Sequence, residues 1–202
     1  MRAVGAILFS AVMSFQALAA ERFAELPLDQ MTPEQRMVAD TILAGPRGSL
    51  AGPFNAWLRS PALADRLQDV GEHVRFNSSL PARLKELAIL VTAREWTAQY
   101  EWYAHAPLAQ AGGLDPAIIA AIAAGKTPAS MKPDERLVYE LSLKLHRDKA
   151  HISDADFKAA RDMLGEQGLV DLIATNGYYG LVSMTLNVAE VGLPPGVPLP
   201  LK

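Results

Sequence analysis

The chain has 202 residues, of which half are hydrophobic and a fifth are charged. This composition is typical of one globular domain with a proper core, and it excludes a disordered or fibrous chain. The formal net charge is -3 at pH 7 and no cluster of Lys or Arg occurs, so an electrostatic basis for binding nucleic acid or anionic lipid is missing. We therefore expect a small-molecule or protein partner.

The first twenty residues have the pattern of a secretory signal peptide. One positive charge at Arg2 precedes an apolar run from Ala3 to Leu18, and small residues stand at 17, 19 and 20. An uncleaved anchor is the alternative, but the run is shorter than the ~20 apolar residues of a spanning helix and ends in an Ala-rich cleavage pattern. We expect residues 1–20 to be removed and residues 21–202 to be exported without a membrane anchor, into the periplasm if the source is a Gram-negative bacterium.

Cysteine and histidine usage limits the chemistry of the chain. There is no cysteine, which excludes disulfides, thiol nucleophiles and cysteine-bound metals. The four histidines, at 73, 105, 146 and 151, form no pair with metal-ligand spacing, so we expect no protein-bound transition metal. His73, His146 and His151 lie beside charged residues and are predicted to be surface histidines.

Helix signals recur along the chain, and no alternation of apolar and polar residues predicts a strand. Thr32-Pro33-Glu34-Gln35 combines an N-cap, a proline at the first helical position and a Gln that closes a capping box; the helix that it opens ends at Gly45. Residues 45–55 are too rich in Gly and Pro to be regular, and we expect this loop to line a site. Further helix starts are predicted at 60–61, at 115–116 and at 153–156, the last helix ending at Gly165.

Two long apolar-periodic blocks should form the core of an all-α helical bundle. The first runs from Pro81 to Ala111, and the second from Gln167 to Glu190. No internal repeat or linker divides residues 21–202, so we expect a single helical domain. The Pro-rich tail that follows, GLPPGVPLPLK, is too short to fold alone and is predicted to lie across the surface or a neighbouring subunit.

The candidate site lies in residues 80–113. Glu101 and His105 stand four apart and share one face of a helix, so the carboxylate can orient the imidazole and make His105 a general acid or base. The alternative is a buried Glu-His pair that braces a subunit interface. Four aromatic residues surround the pair, which is not the pattern of a solvated helix face: Trp96, Tyr100, Trp102 and Tyr103.

The run RLKELAIL, followed by TAREWTAQYEWYAHAPLAQAGGL, resembles the core repeat of the carboxymuconolactone decarboxylase and alkyl-hydroperoxidase D family, and the similarity extends loosely over residues 35–195. Glu86 matches a proton-relay Glu of the peroxidase branch, and His105 matches the active-site His of both branches. The CxxC positions fall on Ala98 and Glu101, so turnover through a disulfide is not available. The Glu101-x-x-x-His105 arrangement is similar to the decarboxylase branch, which works without metal or organic cofactor.

The resemblance also implies a helical bundle that assembles into dimers, trimers or hexamers, with sites between subunits. A role for Glu86 requires a break in the chain, because on one straight helix it would lie ~22 Å from Glu101. Thr97 is a candidate N-cap for a fresh helix; otherwise Glu86 is paired with Arg83 or a nearby Lys.

The second block places Asn176 and Asn187 about three turns apart on one helix face. They can look into a pocket shared with His105, or they can hydrogen-bond across the helix packing, which we favour for Asn187. In the first case Asn176 or Tyr100 would bind a developing enolate oxygen, and Trp96 would also contact the substrate.

The resulting hypothesis is an exported, cofactor-independent lyase or isomerase that acts on a small lactone, keto acid or aromatic acid. In it His105 moves a proton at carbon, Glu101 orients and charges His105, and Glu86 supports the proton transfer. One alternative is a family member that resembles the peroxidases without their thiol chemistry. The other is a non-catalytic module that binds an aromatic or lactone ligand in the Trp- and Tyr-lined pocket.

Overall fold

A computed structural model describes residues 22–202, and within that range the fold is built from α-helices without strands, which confirms the all-α prediction. The predicted signal peptide lies outside the described residues. Within the described part of the chain, no helix combines the length and apolar content needed to cross a bilayer. The helices are α1 Pro33–Ala44, α2 Phe54–Trp57, α3 Pro61–Glu72, α4 Ala82–Glu95, α5 Gln99–Ala111, α6 Pro116–Ala123, α7 Pro133–Arg147 and α8 Asp154–Ala189.

Three of the predicted helix starts, those of α1, α6 and α8, are capped by the side chains that the sequence indicates, whereas Ser60 makes no side-chain cap at the start of α3. Thr32 Oγ1 accepts a hydrogen bond from the Gln35 backbone N–H at 3.3 Å, and Gln35 Oε1 accepts one from the Thr32 N–H at 2.9 Å. Ser153 caps α8 by the same reciprocal arrangement. At the start of α6, Asp115 Oδ1 accepts a hydrogen bond from the Ala117 backbone N–H at 2.8 Å. These bonds satisfy backbone donors that a helix start leaves without intrahelical partners.

The long C-terminal helix is kinked where the sequence predicts a stop. Gly165 has φ 72° and ψ 170°, a conformation that only glycine adopts readily. The predicted end at Gly165 therefore corresponds to a sharp bend within α8 rather than to a loop. The helix then continues to Ala189 and ends at Glu190, which has a left-handed φ of 54°.

The centre of the bundle is α4, which packs against α5, α7 and α8. Residues 84 and 86–93 of this helix are buried, so it is enclosed on all sides, as expected for a helix that is apolar almost all round. Two clusters of apolar side chains meet at α4: one with α5, α6 and α7, the other with α1, α2 and the second half of α8. Glu86 and Thr92 are the buried polar side chains of α4 itself.

The Pro-rich tail is attached to its own chain. Leu201 is buried, and its backbone N–H and C=O bond to the side-chain amide of Gln99 at 3.0 and 2.8 Å. The tail thus packs at the start of α5, next to the helix that carries the Glu101-His105 pair.

The chain reverses between α4 and α5, and this turn positions the site. Thr97 lies in the left-handed region with φ 49°, and Ala98, rather than the predicted Thr97, occupies the N-cap position of α5. The Ala98 N–H donates to the Ala93 carbonyl at 2.8 Å. The two helices fold back on each other, and this brings Glu86 next to His105 instead of leaving it about 22 Å from Glu101.

Candidate active site

His105 lies between two carboxylates that contact opposite nitrogens of its ring. Its Nδ1 is hydrogen-bonded to Glu86 Oε2 at 2.7 Å, and its Nε2 lies 3.0 Å from Glu101 Oε1. All three side chains are at most 5% exposed. Arg83, the alternative partner for Glu86, pairs with Asp134 and Glu135 instead.

The two carboxylates determine the charge of His105. Burial alone lowers the pKa of the imidazole, but the negative charges of Glu101 and Glu86 and the short contacts that both carboxylates make with the ring nitrogens outweigh it and raise the pKa to about 9. His105 is therefore a buried imidazolium at neutral pH. A buried cation held between two carboxylates is the arrangement in which such a charge is tolerated.

One oxygen of this cluster is left without a hydrogen bond. Glu101 Oε1 is close to His105 Nε2 but not aligned for a hydrogen bond, and within residues 22–202 it has no other donor. Buried polar atoms are almost always hydrogen-bonded. Glu101 is also one of the residues that line a cavity.

A cavity of about 200 Å³ opens beside Glu101 and His105. The Gly- and Pro-rich loop forms one wall, as the sequence predicts for residues 45–55. Arg75, which enters from the short π-helical turn His73–Asn77 after α3, lines it as well. The remaining walls come from α5 and α8, and the lining residues are Arg47, Ser49, Ala51, Gly52, Pro53, Arg75, Tyr100, Glu101, Ala104, His105, Tyr178, Tyr179 and Val182.

Two guanidinium groups make the cavity attractive to anions. Among the described residues, neither Arg47 nor Arg75 has a carboxylate within ion-pair distance. Burial lowers the pKa of Arg47, yet arginine remains charged in proteins. Arg47 also stacks over the Phe54 ring at 4.8 Å, which holds its guanidinium in place. Such cations bind carboxylates through paired, charge-assisted hydrogen bonds.

Residues 61–141 match the model of the Carboxymuconolactone decarboxylase family. This segment, which is less than half of the chain, is similar to that family. No curated protein matches the chain. The matched segment contains Glu86, Glu101 and His105, whereas Arg47 and the α8 residues of the cavity lie outside it.

Two tyrosines of α8 also line the cavity, outside the matched segment. Tyr179 meets the His105 ring edge-on, with ring centroids 5.0 Å apart. The Tyr178 hydroxyl is buried without a hydrogen-bond partner in the described residues, and it packs directly on Gly71, where a Cβ would overlap it. Burial raises the pKa of Tyr178 to about 12 and that of Tyr179 well above its usual range. Both hydroxyls are therefore neutral donors at physiological pH.

The structure brings together some of the sequence-predicted residues and not others. Glu86, Glu101 and His105 meet, and Tyr100 lines the cavity. Trp96 does not, because it lies at the end of α4 with 38% of its surface exposed.

Asn176 also lies away from the cavity. It is buried, donating to the Leu172 carbonyl at 2.9 Å and accepting from Thr92 Oγ1 at 3.1 Å. Asn187 donates to the Trp96 carbonyl at 2.8 Å. Both asparagines therefore make helix-packing hydrogen bonds instead of facing His105.

His146 differs from its predicted surface position. It is half-buried, with Nε2 2.9 Å from Thr92 Oγ1, and burial lowers its pKa. His73 is exposed and contacts Asp171 at 3.1 Å. Among the described residues, no group of three or more His, Asp or Glu side chains is arranged to hold a metal ion, since the two carboxylates at His105 face opposite ring nitrogens.

Proposed function

We propose that the chain is a cofactor-independent lyase or isomerase that acts on a small carboxylic acid, with keto acids and carboxylated lactones as the substrate class. The observation that supports this most strongly is the buried Glu86-His105-Glu101 cluster at the wall of a cavity that is also lined by two arginines without an ion-pair partner among residues 22–202. The cluster supplies a proton, and the arginines supply affinity for the acid.

The charges in the cavity suit an anionic substrate. Arg47 and Arg75 attract a carboxylate and orient it, and the charge of the imidazolium of His105 adds to theirs. Tyr178 and Tyr179 line the same cavity, and a neutral tyrosine hydroxyl can donate to a carbonyl oxygen. A preorganised set of donors around a developing enolate is a large contribution to catalysis, since it is fixed before the charge forms.

Protonation of carbon by His105 is the proposed central step. In the lyase form of the reaction the C–C bond to a carboxylate breaks, CO₂ leaves, and the electron pair moves to the neighbouring carbon as an enolate. His105 Nε2 then gives its proton to that carbon and is later reprotonated from water. In the isomerase form Glu101 Oε1 first removes a proton from one carbon, and His105 returns a proton at another. A resting imidazolium favours a role as acid over a role as base.

A screen of small acids tests this proposal. The purified protein would be incubated with keto acids, carboxylated lactones and aromatic acids, and CO₂ release and product formation followed by NMR. His105→Gln is expected to lose at least about a hundredfold in turnover, because general acid catalysis contributes ~10²–10⁴-fold, while the exposed His151→Gln is the matched control. Binding without turnover by all three proteins would contradict the enzyme and support a ligand-binding module.

Assembly into a homo-oligomer is part of the proposal. The outer face of α8 carries an apolar stripe in which Val170 and Val188 are each 62% exposed, Ile173 is 48% exposed and Met184 is 40% exposed. An apolar stripe of this length is unusual on the surface of a monomer. Ile173→Glu is expected to reduce the mass measured by sedimentation equilibrium, and an unchanged mass would place the interface elsewhere.

Export of residues 21–202 also remains a proposal. It is supported by the charge, apolar run and Ala-rich end of the first twenty residues. Intact-mass measurement of the protein recovered from a periplasmic extract is expected to give a chain that starts near Glu21. A full-length mass, or retention in the cytoplasm, would contradict it.

A further inference from the structure

A second and larger concavity adjoins the candidate active site. This groove has a volume of about 800 Å³ and shares three lining residues, Ala51, Gly52 and Tyr100, with the cavity at His105. Ala51, Gly52 and Tyr100 therefore form part of the wall between the two spaces. Gly52 has φ +78°, and a Cβ at this position would lie 3.4 Å from Tyr100 Cε1, so Gly52 and the Tyr100 ring approach each other closely where the two spaces adjoin.

The two spaces differ in chemistry. The cavity presents two arginines, Glu101 and His105. The groove presents mainly aliphatic side chains, which include Leu26, Met31, Leu50, Leu58 and Val191, and Glu25 is the one carboxylate among its described lining residues. An elongated molecule that occupied both would meet charge at one end and hydrocarbon along the rest.

The outer wall of the groove is held in place by specific contacts. Asn55 Oδ1 accepts a hydrogen bond from the Leu26 N–H at 3.1 Å, and Asn55 Nδ2 donates to the Phe23 carbonyl at 3.1 Å. The guanidinium of Arg59 stacks over the Phe23 ring at 5.1 Å and donates to the Ala24 carbonyl. The segment from Phe23 to Leu28 is thus fixed against α2, and the groove is part of the folded structure.

We propose that the substrate of this site is amphipathic: its acid head group binds at Arg47 and His105, and an apolar tail of several carbons lies in the groove beyond Gly52 and Tyr100. This inference rests on the proposed function for the location of the head group. The tail is assigned to the groove because Ala51, Gly52 and Tyr100 line both spaces and because the lining changes from charged to aliphatic across them. Tyr100 is then a specificity residue at the junction.

The test compares binding of a series of straight-chain carboxylates, from butanoate to decanoate, by isothermal titration calorimetry. Burial of each methylene in an apolar environment is expected to tighten binding by about fourfold. Leu28→Gln and Leu50→Gln change residues that line the groove and should flatten this dependence. Leu63→Gln is the matched control, since Leu63 is 51% exposed on α3 and does not line the groove.

Arg47→Gln distinguishes a failure of the groove inference from a failure of the proposed acid site. It is expected to weaken all acids of the series by a similar factor, because it removes a contact to the head group only. If the affinity of the wild type does not depend on chain length while Arg47→Gln still weakens butanoate, the groove inference is wrong and the acid site stands. A chain-length dependence that survives in both groove variants would also overturn the inference, because the tail would then lie elsewhere. If Leu50→Gln does not fold, loss of the chain-length dependence of affinity in Leu28→Gln alone supports the inference.

Discussion

Glu86 is expected to maintain the positive charge of His105, and Glu86→Gln tests this without changing the shape of the side chain. The substitution replaces a carboxylate 2.7 Å from Nδ1 by a neutral amide. A hydrogen bond to a charged group contributes about 1.5–3 kcal/mol, which corresponds to about one to two pKa units. The pKa of His105 should therefore fall from about 9 to roughly 7–8.

The assay is an NMR titration of the imidazole carbons in protein labelled at histidine. The chain has four histidines, and His105→Gln identifies the signal of His105. Glu95→Gln is the control, because Glu95 is paired with Arg147 and does not contact His105. A His105 signal that titrates near 6.5 in the wild type, or that is unmoved by Glu86→Gln, would refute the argument that the carboxylates hold the charge.

Three further predictions concern stability. The pKa of His105 is raised from 6.5 to about 9, so the stability that its positive charge contributes is fully present below pH 6.5 and is lost as the pH rises through 9. The free energy of unfolding in urea should therefore fall by about 3 kcal/mol over that window. This fall should be absent in His105→Gln. Gly71→Ala should lower the free energy of unfolding by about 1–3 kcal/mol through overpacking, since its Cβ would lie 2.8 Å from Tyr178 Cζ, and it should also weaken acid binding. The double variant G71A/Y178F should recover part of the stability. An unchanged free energy of unfolding in the single variant would contradict this packing. Gly165→Ala should lower the free energy of unfolding, measured in urea, by about 1–3 kcal/mol through backbone strain alone. An unchanged free energy of unfolding would contradict the kink at this residue.

Local features of the fold were predictable because their physical causes lie within one helical turn. The capping motifs at 32–35, 115–116 and 153–156 each bond to a backbone N–H two or three residues away. Helix α7 was missed, since its N-cap residue is Lys132 rather than Ser, Thr, Asp or Asn. Its available signal was the proline at its first position and Glu135, whose carboxylate accepts from the Lys132 N–H at 2.7 Å.

The site was only partly predictable because it depends on packing between distant segments. Glu86 reaches His105 only because the chain reverses at Thr97, and a threonine in the left-handed region is not specified by any local pattern. Arg75 was not recognised, since its place at the cavity follows from the turn after α3. Spacing placed Asn176 on a helix face but did not determine which neighbour that face meets.

The measurement that tests the central claim most directly is exchange of solvent deuterium into a bound acid. The wild type and His105→Gln would each be incubated in D₂O with the best ligand from the acid screen, and deuterium at the carbon next to its carbonyl would be followed by NMR. Delivery of a proton by His105 predicts incorporation with the wild type and its loss in His105→Gln, which should still bind the acid through Arg47. Equal incorporation by the two proteins would contradict the claim and assign the proton transfer to another group.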